Sequence, residues 1–339
     1  TRQSSGRLVR LPAIPPRSAV LRRFSALRSL ALALFAVLPS LATAQVSLPN
    51  GTVGESAVDL RVKVLGGLVT VDRQFHEGRW QLNLRWKPAV LGGDPQVQSS
   101  CTTYPQIVVQ DRRYDGDGEA WALENRYSIR ATDYFAGAEC GANRIKTLRW
   151  QDRNSGNWME YQRSDAGQLQ FNLIRYGDRN AVSVSLTYDA QGKLKDVRDH
   201  FGSVVLTYTY SGDLLTEIRD NPGLIPGNTA PARSVKYAYT ATTYQGQSLQ
   251  TIHKVTDVSG HTTQYTIANG TLTGIVDPEG RSRSYQYTAD RVTQSTDADG
   301  HKTTYVYDYD KQKKEFYVRV TGPARADGSR ITETWYDTD

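Results

Sequence analysis

Three kinds of residue in this 339-residue chain have types and spacings that could do chemistry: five histidines, two cysteines and a recurrent aspartate. The histidines are His76, His200, His253, His261 and His301. His76-Glu77 opens like the zinc-protease motif H-E-x-x-H, but Gly78 follows at once and the second histidine is missing. His261 and His301 each follow the glycine of an Asp-x-x-Gly box, so their recurrence reflects a repeat, not a ligand set. Asp115-Gly116-Asp117-Gly118-Glu119 alternates acids with glycine, as calcium loops do. It lacks the third acidic position and the distal bidentate glutamate, and an exposed Asp-Gly turn explains it as well. No G-x-S-x-G elbow, phosphate-cradling glycine loop or His-Cys cluster occurs. These residues predict a non-enzymatic protein with no catalytic site, no metal and no cofactor.

Cys101 and Cys140 take their meaning from the compartment. Of the 41 basic residues, seven are arginines within residues 1–44, a segment that holds no acid. The other 34 basic residues face 35 acidic ones, so residues 45–339 carry a net −1 out of a total of +6. That near-balance gives no electrostatic reason to expect a nucleic-acid partner. Arg22, Arg23 and Arg28 precede the apolar run Leu30 to Leu38, which leads through Pro39 to Ala42-Thr43-Ala44. A positive n-region, a short apolar run and an A-x-A site are the three parts of a secretory signal peptide, with cleavage expected between Ala44 and Gln45. The apolar run is far short of the ~18 residues a membrane helix needs, so the cleaved chain is not expected to be an integral membrane protein. It is expected to be exported, to the periplasm, the cell surface or the medium. In an oxidising compartment Cys101 and Cys140 are a disulfide candidate, with two buried free thiols as the alternative. Closing that loop would stabilise the region by about 3–4 kcal/mol in the chain-entropy model.

The elements that must position these residues read as strands. Twenty tyrosines, with abundant threonine and valine, favour sheet over helix. Val58, Leu60, Val62 and Val64 alternate, Gly66-Gly67 turns, Leu68 to Phe75 returns and His76-Glu77-Gly78 turns again. Trp80, Leu82, Leu84 and Trp86 then alternate on an expected third strand, making a β-meander. Trp121–Arg130 and Thr147–Trp150 are further strand candidates, and Asn154 to Asn157 is a hairpin turn before Trp158.

From Trp158 onward the chain repeats. Asp-x-x-Gly recurs at Asp199–Gly202, Asp220–Gly223, Asp257–Gly260, Asp277–Gly280 and Asp297–Gly300, and another unit opens at Asp327-Gly328. Tyr265 follows Gly260, Tyr285 and Tyr287 follow Gly280, and Tyr305 and Tyr307 follow Gly300. Aspartate can hold backbone amides and glycine takes positive φ, so each box is a turn. The alternation after it places paired tyrosines on one sheet face. Each unit is thus a hairpin that cannot stand alone in water, and successive units must continue one sheet. Tyrosine rings are expected to stack on their counterparts in the next unit while the hydroxyl reaches water or a polar partner.

This spacing resembles the RHS, or YD, repeat. Tyr188-Asp189-Ala190-Gln191-Gly192-Lys193-Leu194 is similar to its central Tyr-Asp…Gly-(Arg/Lys)-Leu piece, and Tyr161 with Asp165 to Leu169 resembles a degenerate first copy. Tyr307-Asp308 and Tyr336-Asp337 carry the Tyr-Asp itself, while Tyr287-Thr288 departs from it. The resemblance implies an all-β fold: a β-meander domain followed by tandem hairpins in one continuous curved sheet, part of a shell. It implies an N-terminal portion of a toxin-enclosing shell or cell-surface protein, whose partner would be its own C-terminal toxin domain. The division expected is a signal peptide at 1–44, an N-terminal β-rich domain at 45–157 and a truncated repeat array at 158–339. Two other readings stand beside it. One is a surface module that binds glycans through exposed tyrosine and tryptophan. The other is an outer-membrane barrel, against which the strands carry threonine, serine, arginine and glutamine on their outward faces.

Overall fold

Alternation becomes pairing in the computed structural model, which describes residues 45–92, 106–116, 120–136, 145–165, 168–224, 230–324, 326 and 328–337. The leader, Ala44 of the expected cleavage junction, Cys101 and Cys140 lie outside the described residues, as do Asp117 to Glu119 and Asp327. Among the described residues there is no α-helix, and the fold is all-β.

Two sheets make up the fold. β1 (Gln45–Ser47), β2 (Thr52–Val64), β3 (Gly67–His76) and β4 (Arg79–Leu82) form a four-stranded antiparallel sheet in that order. The second sheet begins with β5 (Ala89–Gly92), β6 (Gln106–Val109), β7 (Arg112–Gly116), β8 (Ala120–Leu123) and β9 (Tyr127–Tyr134). It continues through β10 (Ile145–Asp152), β11 (Trp158–Gln162), β12 (Gln170–Gly177), β13 (Ser183–Tyr188), β14 (Leu194–Arg198) and β15 (Val204–Ser211). Next come β16 (Leu214–Asp220), β17 (Ser234–Tyr244), β18 (Gln247–Thr256), β19 (Thr262–Ala268) and β20 (Thr271–Val276). It finishes with β21 (Ser282–Thr288), β22 (Arg291–Thr296), β23 (Lys302–Asp310), β24 (Glu315–Thr321) and β25 (Ile331–Asp337). Antiparallel pairing runs straight across residue 157, from β10 to β11 to β12. The sheet closes on itself at β12, whose start pairs with β5 (Gln170↔Val90, Phe171↔Ala89) while its far end pairs with β13.

The meander differs from expectation at its third strand, which stops at Leu82. Asn83 takes a left-handed conformation (φ 48°) and bonds β3 twice, N–H to the Asp72 carbonyl at 2.8 Å and Oδ1 from the Asp72 N–H at 3.0 Å. Leu84–Trp86 then wind into a 3-10 turn. β2 also carries a bulge, between Val58↔Asp72 and Leu60↔Val71, which leaves Asp59 without a cross-strand partner. The bulge lets two sequence neighbours, Asp59 and Leu60, both turn inward. The stretch Trp121–Arg130 is two strands, because Glu124 and Asn125 adopt positive φ and close a hairpin between β8 and β9.

The repeat turns share one construction. At Asp199, Asp257, Asp277 and Asp297, Oδ1 accepts the N–H groups two and four residues on, at 2.8–3.1 Å. Asp178 and Asp189 do the same, the former with Ala181 in the glycine position at φ 61°. Asp220–Gly223 is the exception. There the inserted segment carries the chain away, and Asp220 instead holds Arg233, thirteen residues on, by its N–H (2.6 Å) and its Nε (2.7 Å).

At the opposite ends of β17–β18, β19–β20 and β21–β22 the turns are tight pairs, Gln245-Gly246, Asn269-Gly270 and Ala289-Asp290, all at positive φ. Each hairpin from β15–β16 to β21–β22 bears a register shift just before its second tyrosine position, Tyr210, Tyr239, Ile267 and Tyr287. The unpaired residue is Thr216, His253, Thr273 and Thr293 in turn, and the three threonine hydroxyls donate to the facing carbonyls of Thr209, Thr266 and Gln286.

Gly280 and Gly300 sit at φ +80° and +82° with nothing within 4 Å of where a Cβ would stand. Gly280→Val and Gly300→Val are therefore expected to cost about 1–3 kcal/mol each in urea unfolding, from backbone strain alone. Gly270→Ala is expected to cost more, because its Cβ would run into the Tyr244 ring. Equal losses at all three positions would count against this ordering.

Candidate functional site: a buried polar seam between the two sheets

The β1–β4 sheet lies on the tyrosine-bearing face of the repeat sheet, and the seam between them is where the chain's polar chemistry concentrates. β3 presents Val69, Val71, Arg73 and Phe75 on one side, all at most 6% exposed. β19 and β21 answer with Tyr265 and Tyr285, also buried, while Gln264, Thr266, Ser284 and Gln286 face away and are exposed.

At the centre, Arg73 donates from Nε to both oxygens of Asp59 (2.9 and 3.0 Å) and from Nη2 to the Tyr265 hydroxyl (2.7 Å). Its guanidinium lies 4.3 Å from the Trp80 ring centre and 5.0 Å from that of Tyr265, and the two rings pack at 4.7 Å. The Tyr237 hydroxyl donates to Asp59 Oδ2 at 2.9 Å. To one side Asn83 Nδ2 donates to the Tyr208 hydroxyl at 3.0 Å. At the margins Arg233 reaches the Arg61 carbonyl (3.0 Å), and the Val292 N–H donates to the Gly51 carbonyl (2.8 Å). Tyr208, Tyr237 and Tyr265 thus all bond to the small sheet.

The second tyrosine of a unit serves the repeat sheet itself. The Tyr287 hydroxyl donates to the Leu272 carbonyl (2.6 Å) and that of Tyr188 to the Leu173 carbonyl (2.7 Å), each fifteen residues back on the neighbouring strand. The expected stacking of rings from unit to unit is not what these hydroxyls and rings do. Tyr265 packs on Trp80, Tyr305 shares a hydrogen bond with Ser295 (3.3 Å), and Tyr307 packs on Gly51.

Burial sets the protonation of the seam. Burial pushes the Tyr208 and Tyr237 hydroxyls well above the ordinary tyrosine range and Tyr285 up to about 12, so they remain protonated donors. Burial also pushes Asp59 up, against the opposing pull of Arg73 and of the Tyr237 hydroxyl. Asp297, Asp299 and His301 bring three metal-ligand groups within 4.8 Å at one exposed turn. Asp297 is already spent there, since Oδ1 holds two backbone amides and Oδ2 lies 3.2 Å from His301 Nδ1.

A cavity of about 510 Å³ lies between the β2–β3 hairpin and β10–β13, lined by Arg61, Arg85, Trp86, Trp158 and Tyr176 among others. Two indole N–H groups of its lining are engaged by the fold. Trp158 donates to the Asp178 carbonyl and Trp150 to the Tyr114 hydroxyl, both at 2.9 Å. No helix among the described residues is long and apolar enough to cross a membrane.

Of the residues expected from the sequence, Asp257, Gly260, Asp277, Gly280, Asp297 and Gly300 form turns at one end of the sheet. Tyr265 and Tyr285 line the seam, whereas Tyr287 and Tyr305 bond within the repeat sheet. Asp59, Arg73, Glu55 and Asn83 escaped the sequence reading. The available signal was phase: Arg73 falls in step with Val69, Val71 and Phe75, and Glu55 in step with Val53.

Arg73→Met is expected to destabilise the chain by about 3–5 kcal/mol, because it strands Asp59 unpaired and buried. Tyr208→Phe, which removes one neutral hydrogen bond, is expected to cost about 1 kcal/mol. Urea unfolding of both variants checks the ordering, and a smaller loss for Arg73→Met than for Tyr208→Phe would refute it.

The RHS Repeat family model matches residues 268–302. No curated protein matches the chain. Among solved structures, the chain is similar to a chain of the Photorhabdus luminescens Tc holotoxin pore, at 11% identity and a TM-score of 0.15, covering 84% of this chain and 22% of that one. It is also similar to a chain of the TcdB2-TccC3-Cdc42 crystal structure, at 12% identity and a TM-score of 0.16, covering 84% and 21%. The chain spans about a fifth of the length of those it matches. Residues 268–302 run from the end of β19 through the Asp277 and Asp297 turns into β23, so the chain carries the RHS repeat that its tyrosine-and-turn spacing leads one to expect.

Proposed function

We propose that this chain is an exported, non-enzymatic RHS scaffold, the N-terminal part of a wall that encloses a C-terminal toxin domain. The observation that carries the reading is the seam. One face of a continuous repeat sheet is covered by the four-stranded β1–β4 sheet through buried hydrogen bonds, and the other face presents polar side chains. A wall needs such a sheet, one that grows by hairpin addition and is stiff enough to separate an interior from solvent. The outward residues of β21, Ser282, Ser284, Gln286 and Thr288, are those of a solvated surface and not of a lipid-facing band. Any enzymatic activity would belong to the enclosed domain. Export would follow the leader, and Cys101–Cys140 would then form a bridge in an oxidising compartment.

The test is to extend the reading frame past codon 339 and to probe the whole product. The expected frame continues through further repeats into a C-terminal domain that resists protease until the wall is unfolded. N-terminal sequencing of the exported product is expected to begin at Gln45. A stop directly after Asp339, together with retention of the 45–339 product on a glycan array, would favour a stand-alone adhesion module instead.

A further inference from the structure

β2 buries a carboxylate that lacks hydrogen bonds. The Glu55 side chain is fully buried, and neither Oε1 nor Oε2 has a hydrogen-bond partner. Arg283 Nη2 on β21 approaches to 3.7 Å, an ion-pair distance too long for a hydrogen bond, and the Arg283 side chain is 26% exposed. On β3, Arg73 gives Nε to Asp59 and Nη2 to Tyr265, and its Nη1 has no partner. Tyr265 on β19 and Tyr285 on β21 also face Glu55, and burial holds both protonated. On β22, Arg291 lies over the Tyr307 ring instead. Asp59, four residues along β2, is tied to Arg73 and Tyr237.

A buried carboxyl in such a place is tolerable when neutral and costly when ionised. We propose that Glu55 is a pH-sensitive latch: protonated, it lets the β1–β4 sheet dock on the repeat sheet, and ionised, it loosens that docking. Burial pushes its carboxyl up to about 7 from an ordinary 4.5, against the opposing pull of Arg283 and Arg73. The docked state therefore holds the proton more tightly than the released state does. The stability that proton confers is fully present below about pH 4.5 and is lost as pH rises through about 7. Burial pushes Asp59 up as well, but Arg73 and the Tyr237 hydroxyl hydrogen-bond its charged form, as no group does for Glu55.

The proposal is tested by urea unfolding of the full chain across a pH series, with hydrogen exchange of β2 and β3, corrected for intrinsic rate, as the local readout. The docking equilibrium is expected to weaken by about two orders of magnitude between about pH 5 and about pH 8.5, and Glu55→Gln is expected to remove most of that dependence. An unchanged pH dependence in Glu55→Gln would overturn the latch. Should that variant fail to fold, Arg283→Met supplies the second test. Removing a cation that favours the ionised form is expected to move the midpoint of the loss to higher pH, and an unmoved midpoint overturns the proposal.

Discussion

A tyrosine carried into the interior of a sheet brings a hydroxyl that must find a partner there, and this constraint organises the molecule. Tyr208, Tyr237 and Tyr265 stand on one face of the repeat sheet, buried to within 6% of full enclosure. Hydrocarbon covering that face would leave their hydroxyls unpaired, at a cost of about 1–3 kcal/mol each. The four-stranded sheet meets the requirement with polar groups at matched positions, Asn83, Asp59 and Arg73. Those groups in turn cannot be buried without the tyrosines. Each sheet therefore supplies the other's missing partners, which ties their stabilities together and sets the register of one on the other.

The ion pair at the centre is held in place by its neighbours. Arg73 is clamped between the Trp80 and Tyr265 rings and donates from Nε to both oxygens of Asp59, a geometry that fixes its position. A buried pair of this kind adds little net stability over a hydrophobic filling but penalises every arrangement in which the partners separate. Both partners lie on the covering sheet, on β2 and β3, so the penalty fixes those two strands, while the bonds of Asp59 to Tyr237 and of Arg73 to Tyr265 tie that sheet to the repeat sheet.

Much of this was legible from residues alone. The turns at Asp257, Asp277 and Asp297 follow from aspartate and glycine chemistry, and the paired tyrosines from period-two alternation. What stayed hidden depends on contacts distant in sequence. Asp59 lies 178 residues from Tyr237, and Arg73 lies 192 from Tyr265, so no local spacing announces either bond. The bulge at Asp59 reverses the inward phase of β2 midway, which is why Val58, Leu60, Val62 and Val64 read as one face and yet only Leu60 is fully buried. Asn83 misleads for a similar reason, because one left-handed residue ends an alternation that the side chains continue on paper. The bulged threonines, Thr216, Thr273 and Thr293, take their meaning only from the facing carbonyls.

The central claim is that the repeat tyrosines and the polar groups of the covering sheet are energetically coupled, and a double-mutant cycle measures that coupling directly. Combining Tyr237→Phe with Asp59→Asn in urea unfolding, the account predicts a coupling energy of about 1–3 kcal/mol, as for a buried hydrogen bond to a charged group. Losses that simply add, to within about 0.5 kcal/mol, would contradict it.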